Sequence, residues 1–147
     1  MTDFKLYTIG FTQKNAKSFF SLLERYKVRR IIDVRLNNRS QLAAFTKADD
    51  LSFFLQKILA AEYIHRPDLA PTSEILDSYK KKQITWEEYE RQFVSLLKQR
   101  NTVKDLSPEF LQDACLLCSE PEAKQCHRRL VAEHIKRIHP DLNIIHL

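Results

Sequence analysis

The feature that most restricts the possible folds is the alternation of short apolar segments with helical stripes along the chain. Five apolar segments have the length of β-strands, and they lie at residues 5–9, 30–34, 62–65, 114–118 and 143–146. Several of these segments are nearly continuous Ile, Val and Leu, which is typical of strands covered on both faces. The alternation predicts an α/β fold in which a mainly parallel sheet of about five strands carries helices on both faces.

Helical stripes occupy the intervals between the predicted strands. Apolar residues recur at helical spacing in four of these intervals, at residues 19–26, 51–59, 89–97 and 130–138. Thr85 and Glu88 have the spacing of a capping box, and Ser107-Pro108 predicts a short turn of helix. Residues 66–73 and 80–85 are predicted to be surface connections.

The chain length of 147 residues predicts one domain over residues 1–147. No apolar run approaches the roughly 20 residues of a membrane span, and the first residues lack the pattern of a signal peptide. We therefore expect a cytoplasmic protein without membrane contact. Its three cysteines are expected to be reduced thiols. The oligomeric state stays open.

The net charge of +5 is compatible with an anionic partner, either a small metabolite or a nucleic acid. Many of the basic residues are nevertheless expected only to solvate helix faces. The single glycine, Gly10, excludes the Gly-rich phosphate loops of nucleotide sites, because those loops need several glycines. We expect no cofactor.

Chemically capable side chains follow the predicted strands, where each strand ends. Because parallel strands end at the same edge of a sheet, these side chains are predicted to form one site. The candidate substrate-binding residues are Thr8, Gly10, Asp33, Arg35, Arg39, Ser40, Arg66 and Arg128. The candidate catalytic residues are His65, Cys118, Glu120, Cys126 and His127.

The three cysteines have different predicted environments. Cys126 is predicted at the start of the last helix, where the helix dipole and Arg128 would favour a thiolate; alternatively, it packs beneath that helix. Cys118, at a strand end, is either a nucleophile or a small core residue. Glu120 is either a general base or the partner of Arg128. Cys115 lies inside the apolar run and is expected to be buried and structural.

The Cys-x-x-Cys spacing of Cys115 and Cys118 does not predict a metal site. Cys115 and Cys118 point to opposite faces of a regular strand, so they cannot bind one ion together. The zinc-deaminase signature also fails, because its His-x-Glu partner is missing. Cys118, Cys126 and His127 form the set that stays open for zinc.

Other candidates near the strand ends also have two possible roles. Asp33 and Arg35 stand two residues apart and share a strand face, so they either pair or act together on a substrate anion. His65 is either a structural residue or a proton carrier. Gly10 is free to adopt positive φ, and it is expected to allow a sharp turn or the close approach of a ligand to the backbone.

Several short motifs occur together in this chain. They are Tyr7-Thr8-Ile9-Gly10, Ile32-Asp33-Val34-Arg35 with Ser40 and Phe45, Leu117-Cys118-Ser119-Glu120 with Cys126-His127-Arg128, and His146-Leu147. With this combination the chain resembles domain-of-unknown-function family 488 over nearly its whole length. The resemblance implies a compact α/β domain with a site built from these motifs, and it implies no established reaction.

Three functions fit these observations. The leading hypothesis is a thiol- or carboxylate-dependent transferase or hydrolase that acts on a small anionic, phosphate-bearing substrate. Arginines would bind the charge, Cys118 or Cys126 would be the nucleophile, and Glu120 or a histidine would move protons. The alternatives are a nucleic-acid-binding or nucleic-acid-processing module and a non-catalytic sensor. The sensor would bind an anion or respond to oxidation by joining Cys118 to Cys126.

Overall fold

The computed structural model of the protein describes residues 3–38, 44–120 and 123–147. Arg39 and Ser40, which the sequence predicts to bind substrate, lie outside the described residues. Five strands form one sheet in which every neighbouring pair is parallel, and helices cover both faces. The predicted α/β class is therefore confirmed. No helix in the described part of the chain combines the length and apolar character needed to cross a bilayer.

The strands coincide with the predicted segments to within one residue. They are β1 (Lys5–Gly10), β2 (Arg30–Asp33), β3 (Glu62–His65), β4 (Ala114–Cys118) and β5 (Asn143–His146). Their order across the sheet is β3-β2-β4-β1-β5. Because β4 lies between β1 and β2, the end of β4 is flanked by the loops that follow both of these strands.

The helices include the four predicted stripes and the predicted short turn. They are α1 (Ala16–Arg25), α2 (Ala48–Leu59), α3 (Ser73–Lys80), α4 (Trp86–Arg100), α5 (Pro108–Leu111) and α6 (His127–Ile138). Short 3-10 turns occur at Ala44–Thr46, Pro67–Leu69 and Thr102–Asp105. The helix α3 was not predicted, because it is only eight residues long and none of its residues is fully buried; Ile75, Leu76 and Tyr79 pack at the margin of the core.

Two cores lie on opposite faces of the sheet. One core packs α1 and α2 against β1, β2 and β4, and the other packs α4 and α6 against the same three strands. Since side chains alternate along a strand, Cys115 and Leu117 enter the first core whereas Leu116 and Cys118 enter the second. The thiol of Cys118 therefore lies on the face that carries α6.

Candidate functional site

The carboxyl ends of the strands meet at one edge of the sheet, and backbone hydrogen bonds join the loops there. The amide of Val34 donates to the carbonyl of Leu117, and the amide of Thr12 donates to the carbonyl of Ser119, at 3.1 and 3.0 Å. A cavity of about 1030 Å³ lies at the opposite edge, beside Arg30 and Glu62. Residue chemistry, rather than cavity size, therefore identifies the candidate site.

Cys118 and Cys126 are joined by a disulfide bond. Cys118 is the last residue of β4, and Cys126 is the N-cap of α6. These residues are 1% and 3% exposed. The structure thus differs from the expectation of reduced thiols, because strand end and helix start converge. Cys115 is buried in the other core as predicted, and burial raises the pKa of its thiol.

Arg128 is fully buried and connects three parts of the site. Its Nη1 lies 3.5 Å from the Sγ of Cys118 and donates to the carbonyl oxygen of Glu120 at 2.5 Å. Its Nε donates to the Oγ1 of Thr8 at 3.2 Å. Burial lowers the pKa of Arg128, and the charges of Cys115 and Glu120 act in the opposite direction. A guanidinium thus lies against one sulfur of the pair.

Gly10 provides space for the segment that carries Glu120. A Cβ atom at Gly10 would lie 1.5 Å from the carbonyl oxygen of Glu120 and 2.9 Å from Nη1 of Arg128. Gly10 does not adopt positive φ. The close approach that the sequence predicts is therefore made by the backbone of the chain itself, and it holds that backbone against the end of β1.

His127 adjoins the two sulfurs. A ring nitrogen of His127 and both Sγ atoms lie within 4.8 Å of one another. Its Nε2 lies 2.6 Å from the carbonyl oxygen of Val34. Because a carbonyl only accepts, Nε2 carries the proton and Nδ1 keeps a lone pair. Burial lowers the pKa of His127 to about 4, so the ring is neutral at pH 7.

Asp33 and Arg35 bind each other. Nε and Nη2 of Arg35 donate to the two carboxylate oxygens of Asp33 at 2.9 and 2.7 Å, and both residues are buried. Arg66 forms the same two-pronged contact with Asp68. The Nε2 of His65 lies 2.8 Å from the carbonyl oxygen of Arg35. Two of the four arginines predicted to bind substrate, Arg35 and Arg66, thus hold carboxylates of their own chain, and His65 contacts the backbone.

Glu120 was predicted to be either a general base or the partner of Arg128. Glu120 is exposed, and its backbone carbonyl oxygen accepts a hydrogen bond from Arg128. The charge of Glu120 nevertheless contributes to the raised pKa of Tyr89 on α4, after burial and Tyr79. The carboxylate therefore belongs to the surroundings of the site.

Two residues of this edge, Lys14 and His146, were not among the candidate catalytic or substrate-binding residues, although His146 belongs to the motif His146-Leu147. Lys14 is partly buried, and burial and the charge of Arg128 lower its pKa. The Nδ1 of His146 lies 2.6 Å from the Oγ1 of Thr8, which connects β5 to the Arg128 contact. A single lysine after a strand resembles any surface lysine, so no spacing signal marks Lys14.

Comparison with known proteins identifies the family of this chain. A family described as a domain of unknown function, DUF488, matches residues 15–135. The chain belongs to this family. The DUF488 match includes β2, β3, β4 and the cysteine pair, whereas Tyr7-Thr8-Ile9-Gly10 and His146-Leu147 lie outside it. Neither the curated proteins nor the solved structures contained a match to the chain.

Proposed function

We propose that the protein is a thiol–disulfide redox protein whose reactive centre is the Cys118/Cys126 pair. The observation that supports this most strongly is the bond between these two sulfurs at the carboxyl-terminal edge of the sheet. The third cysteine, Cys115, lies in the opposite core. Two thiols at bonding distance can exchange two electrons with another thiol–disulfide couple.

The surroundings of both sulfurs support thiolate chemistry. Cys126 is the N-cap residue of the twelve-residue helix α6, whose positive dipole end stabilises a thiolate. The Sγ of Cys118 lies 3.5 Å from Nη1 of Arg128, a charged donor that favours the same ionised form. Cys115 lacks such support, because burial dominates its raised pKa.

The exchange proceeds in two balanced steps. The thiolate of Cys126 attacks one sulfur of a small disulfide, forms a mixed disulfide and releases one external thiolate. The thiolate of Cys118 then attacks the sulfur of Cys126, forms the internal disulfide and releases the second external thiolate. Two protein thiols are oxidised and one external disulfide is reduced, while the two protons of the protein thiols pass to the released thiolates. Since the two residues are almost completely covered, the reagent is a low-molecular-weight disulfide.

Removal of the second cysteine tests this order. In reduced Cys118→Ser protein, oxidised glutathione is expected to leave a stable adduct on Cys126, because no neighbouring thiol can displace it. The unaltered protein and the control variant Cys115→Ala are expected to form the internal disulfide without a lasting adduct. Intact-mass spectrometry and peptide mapping measure both products. Failure of the reduced unaltered protein to form the internal disulfide would overturn the proposal, as would loss of the bond in Cys115→Ala.

Action on a small anionic substrate is the second candidate function. The position of Lys14 favours it, because this partly buried cation lies close enough to Arg128 for the two charges to interact. The contacts of Arg35 and Arg66 with their own aspartates give it less support than the thiol pair receives. The nucleic-acid hypothesis stays a prediction from the net charge.

A further inference from the structure

The cysteine pair has a third potential ligand beside it. Both sulfurs and a ring nitrogen of His127 lie within 4.8 Å of one another. We propose that the reduced protein binds one Zn²⁺ ion through Cys118, Cys126 and His127, and that oxidation of the thiols releases the ion. This inference rests on the proposed function in that it uses the reduced form of the same pair.

The distances suit a tetrahedral ion. Zinc–sulfur bonds of about 2.3 Å and zinc–nitrogen bonds of about 2.0 Å separate neighbouring ligand atoms by about 3.5–3.8 Å. The Cα atoms of Cys118 and Cys126 lie 7.6 Å apart. This exceeds the roughly 4.4–6.8 Å that disulfides usually span. In the reduced form, small changes in the side-chain torsions therefore leave room for an ion between the sulfurs.

The hydrogen bond of His127 prepares the ring for a metal. Nε2 donates its proton to the carbonyl of Val34, so Nδ1 is the nitrogen with a free lone pair. Metal-binding histidines commonly donate their other ring N–H to a carbonyl or carboxylate in this way. The contact orients the ring and selects the tautomer before any ion arrives.

The charges around the pair also balance. Two thiolates neutralise a divalent ion, so Arg128 does not face an excess positive charge. Its Nη1, 3.5 Å from the Sγ of Cys118, becomes an outer donor to a metal-bound sulfur. A buried cation would otherwise repel a metal ion, and the negative charges of the two thiolates cancel this repulsion.

The ligand set defines the class of metal. Two thiolates and one imidazole prefer zinc and similar soft ions to magnesium or calcium, which prefer oxygen ligands. These groups are the three metal-ligating candidates that cluster among the described residues. Three protein ligands leave one position for water or a substrate, an arrangement typical of catalytic zinc.

Oxidation and metal release are one balanced reaction. A small disulfide accepts two electrons and becomes two thiols when it takes up two protons from solvent. The two metal-bound thiolates supply those electrons and become the Cys118–Cys126 disulfide, which no longer binds the ion. One Zn²⁺ leaves for each disulfide formed, so the site changes occupancy with the redox state.

The test begins with full-length protein that has been reduced and then freed of metal with a chelator. Titration with Zn²⁺ alone is expected to show one tight site per chain. Co²⁺ alone is expected to give the absorption bands of a tetrahedral ion with thiolate ligands. Addition of oxidised glutathione is expected to release one Zn²⁺ for each disulfide formed, as measured with a chromogenic chelator and by intact mass.

Matched variants separate ligation from general damage. Cys126→Ser and His127→Gln are expected to weaken Zn²⁺ binding at least about 10-fold, by comparison with the 10–100-fold effect of removing outer-shell partners. Cys115→Ala and His134→Gln are expected to bind like the unaltered protein. Should a ligand variant fail to fold, the Co²⁺ spectrum of the unaltered protein still reports whether thiolates bind the ion.

The outcomes distinguish the two proposals. If the reduced protein takes up neither ion, or shows no thiolate band with Co²⁺, the metal site is wrong, whether or not the thiols exchange with glutathione. If Zn²⁺ binds but oxidised glutathione produces no internal disulfide, the redox function and the proposed release are both wrong. Zinc-binding followed by stoichiometric release is the result that supports both.

Discussion

Cys115 and Cys118 are three residues apart in one strand, and yet their thiols have different chemical surroundings. Cys115 lies in the apolar core beneath α1 and α2, where burial raises its pKa. Cys118 lies on the other face, at the point where β4 ends, and contacts Arg128. Because the strand alternates its faces, a difference of three positions separates an inert thiol from a candidate reactive one.

The Asp33–Arg35 pair shows the same principle for charged residues. Both side chains are buried, and each satisfies the hydrogen-bonding groups of the other. A buried guanidinium needs such a partner, because an unpaired charge in the interior is very costly. The pair therefore stabilises the loop after β2 more directly than it serves an external anion.

Gly10 is the residue whose substitution should disturb the site most directly. In Gly10→Ala, the new Cβ would overlap the carbonyl of Glu120, which lies 1.5 Å from its ideal position, so the backbone after β4 must move. Overpacking of this kind costs about 1–3 kcal/mol of unfolding free energy or more. Urea unfolding measures the loss, and Thr12→Ala in the same loop is the control. A stability change of Gly10→Ala as small as that of Thr12→Ala would contradict the contact.

At the scale of the elements, two helices of this chain end in a left-handed residue that is not glycine, although glycine is the usual residue there. The C-caps of α2 and α4 are Ala60 and Asn101, and both adopt left-handed backbone with φ of 52° and 59°. Asparagine tolerates this conformation, whereas alanine has no compensating side-chain hydrogen bond. The end of α2 therefore contains a local conformational cost.

Ala60→Gly should remove that cost. We expect the free energy of unfolding to increase by about 0.5–1 kcal/mol, since relief of the left-handed strain exceeds the entropy that glycine adds to the unfolded chain. Urea unfolding measures this gain, and the dependence of the unfolding free energy on urea concentration should be the same for both proteins. Ala132→Gly, a buried position inside α6, is the control and should destabilise the protein. Destabilisation by Ala60→Gly would contradict the argument.

Local pattern explains which elements could be predicted. The five strands and the stripes of α1, α2, α4 and α6 were visible, because burial on one or both faces leaves a periodic sequence. The helix α3 was not visible: Thr72 caps it by accepting from the amide of Ile75, but none of its residues is buried. Its apolar residues Ile75, Leu76 and Tyr79 pack only at the margin of the core, and eight residues are too few for a recurring stripe that would separate this helix from a surface connection.

For the whole molecule, three histidines make stability depend on pH in the same direction. Burial lowers the pKa of His127, His134 and His146, for His127 to about 4. The unfolded chain protonates these rings near pH 6.5, whereas the folded protein protonates them only at lower pH. Below that pH the unfolded state binds more protons, so stability decreases as the pH falls.

We therefore expect the metal-free protein, in one fixed redox state, to lose stability steadily between pH 7 and pH 5. Urea unfolding across this range measures the effect, and His134→Gln should show a flatter dependence because it lacks one of the shifted groups. Asp68, whose pKa is lowered mainly by its contact with Arg66, contributes a loss only below its usual value near 4. Equal or greater stability at pH 5 than at pH 7 would be incompatible with lowered pKa values of these three rings.

The sequence by itself determined the α/β class, the strands, most helices and the gathering of polar residues at the strand ends. These features follow from local periodicity and from the geometry of parallel strands. Only the tertiary structure decided that β4 lies between β1 and β2, that Cys118 meets Cys126, and that Arg35 binds Asp33. The strand order and the cysteine pairing depend on segments that are separate in sequence, and spacing alone does not specify which of them come together. The Asp33–Arg35 contact was one of two possibilities that the sequence allowed, and burial of both charges decided between them.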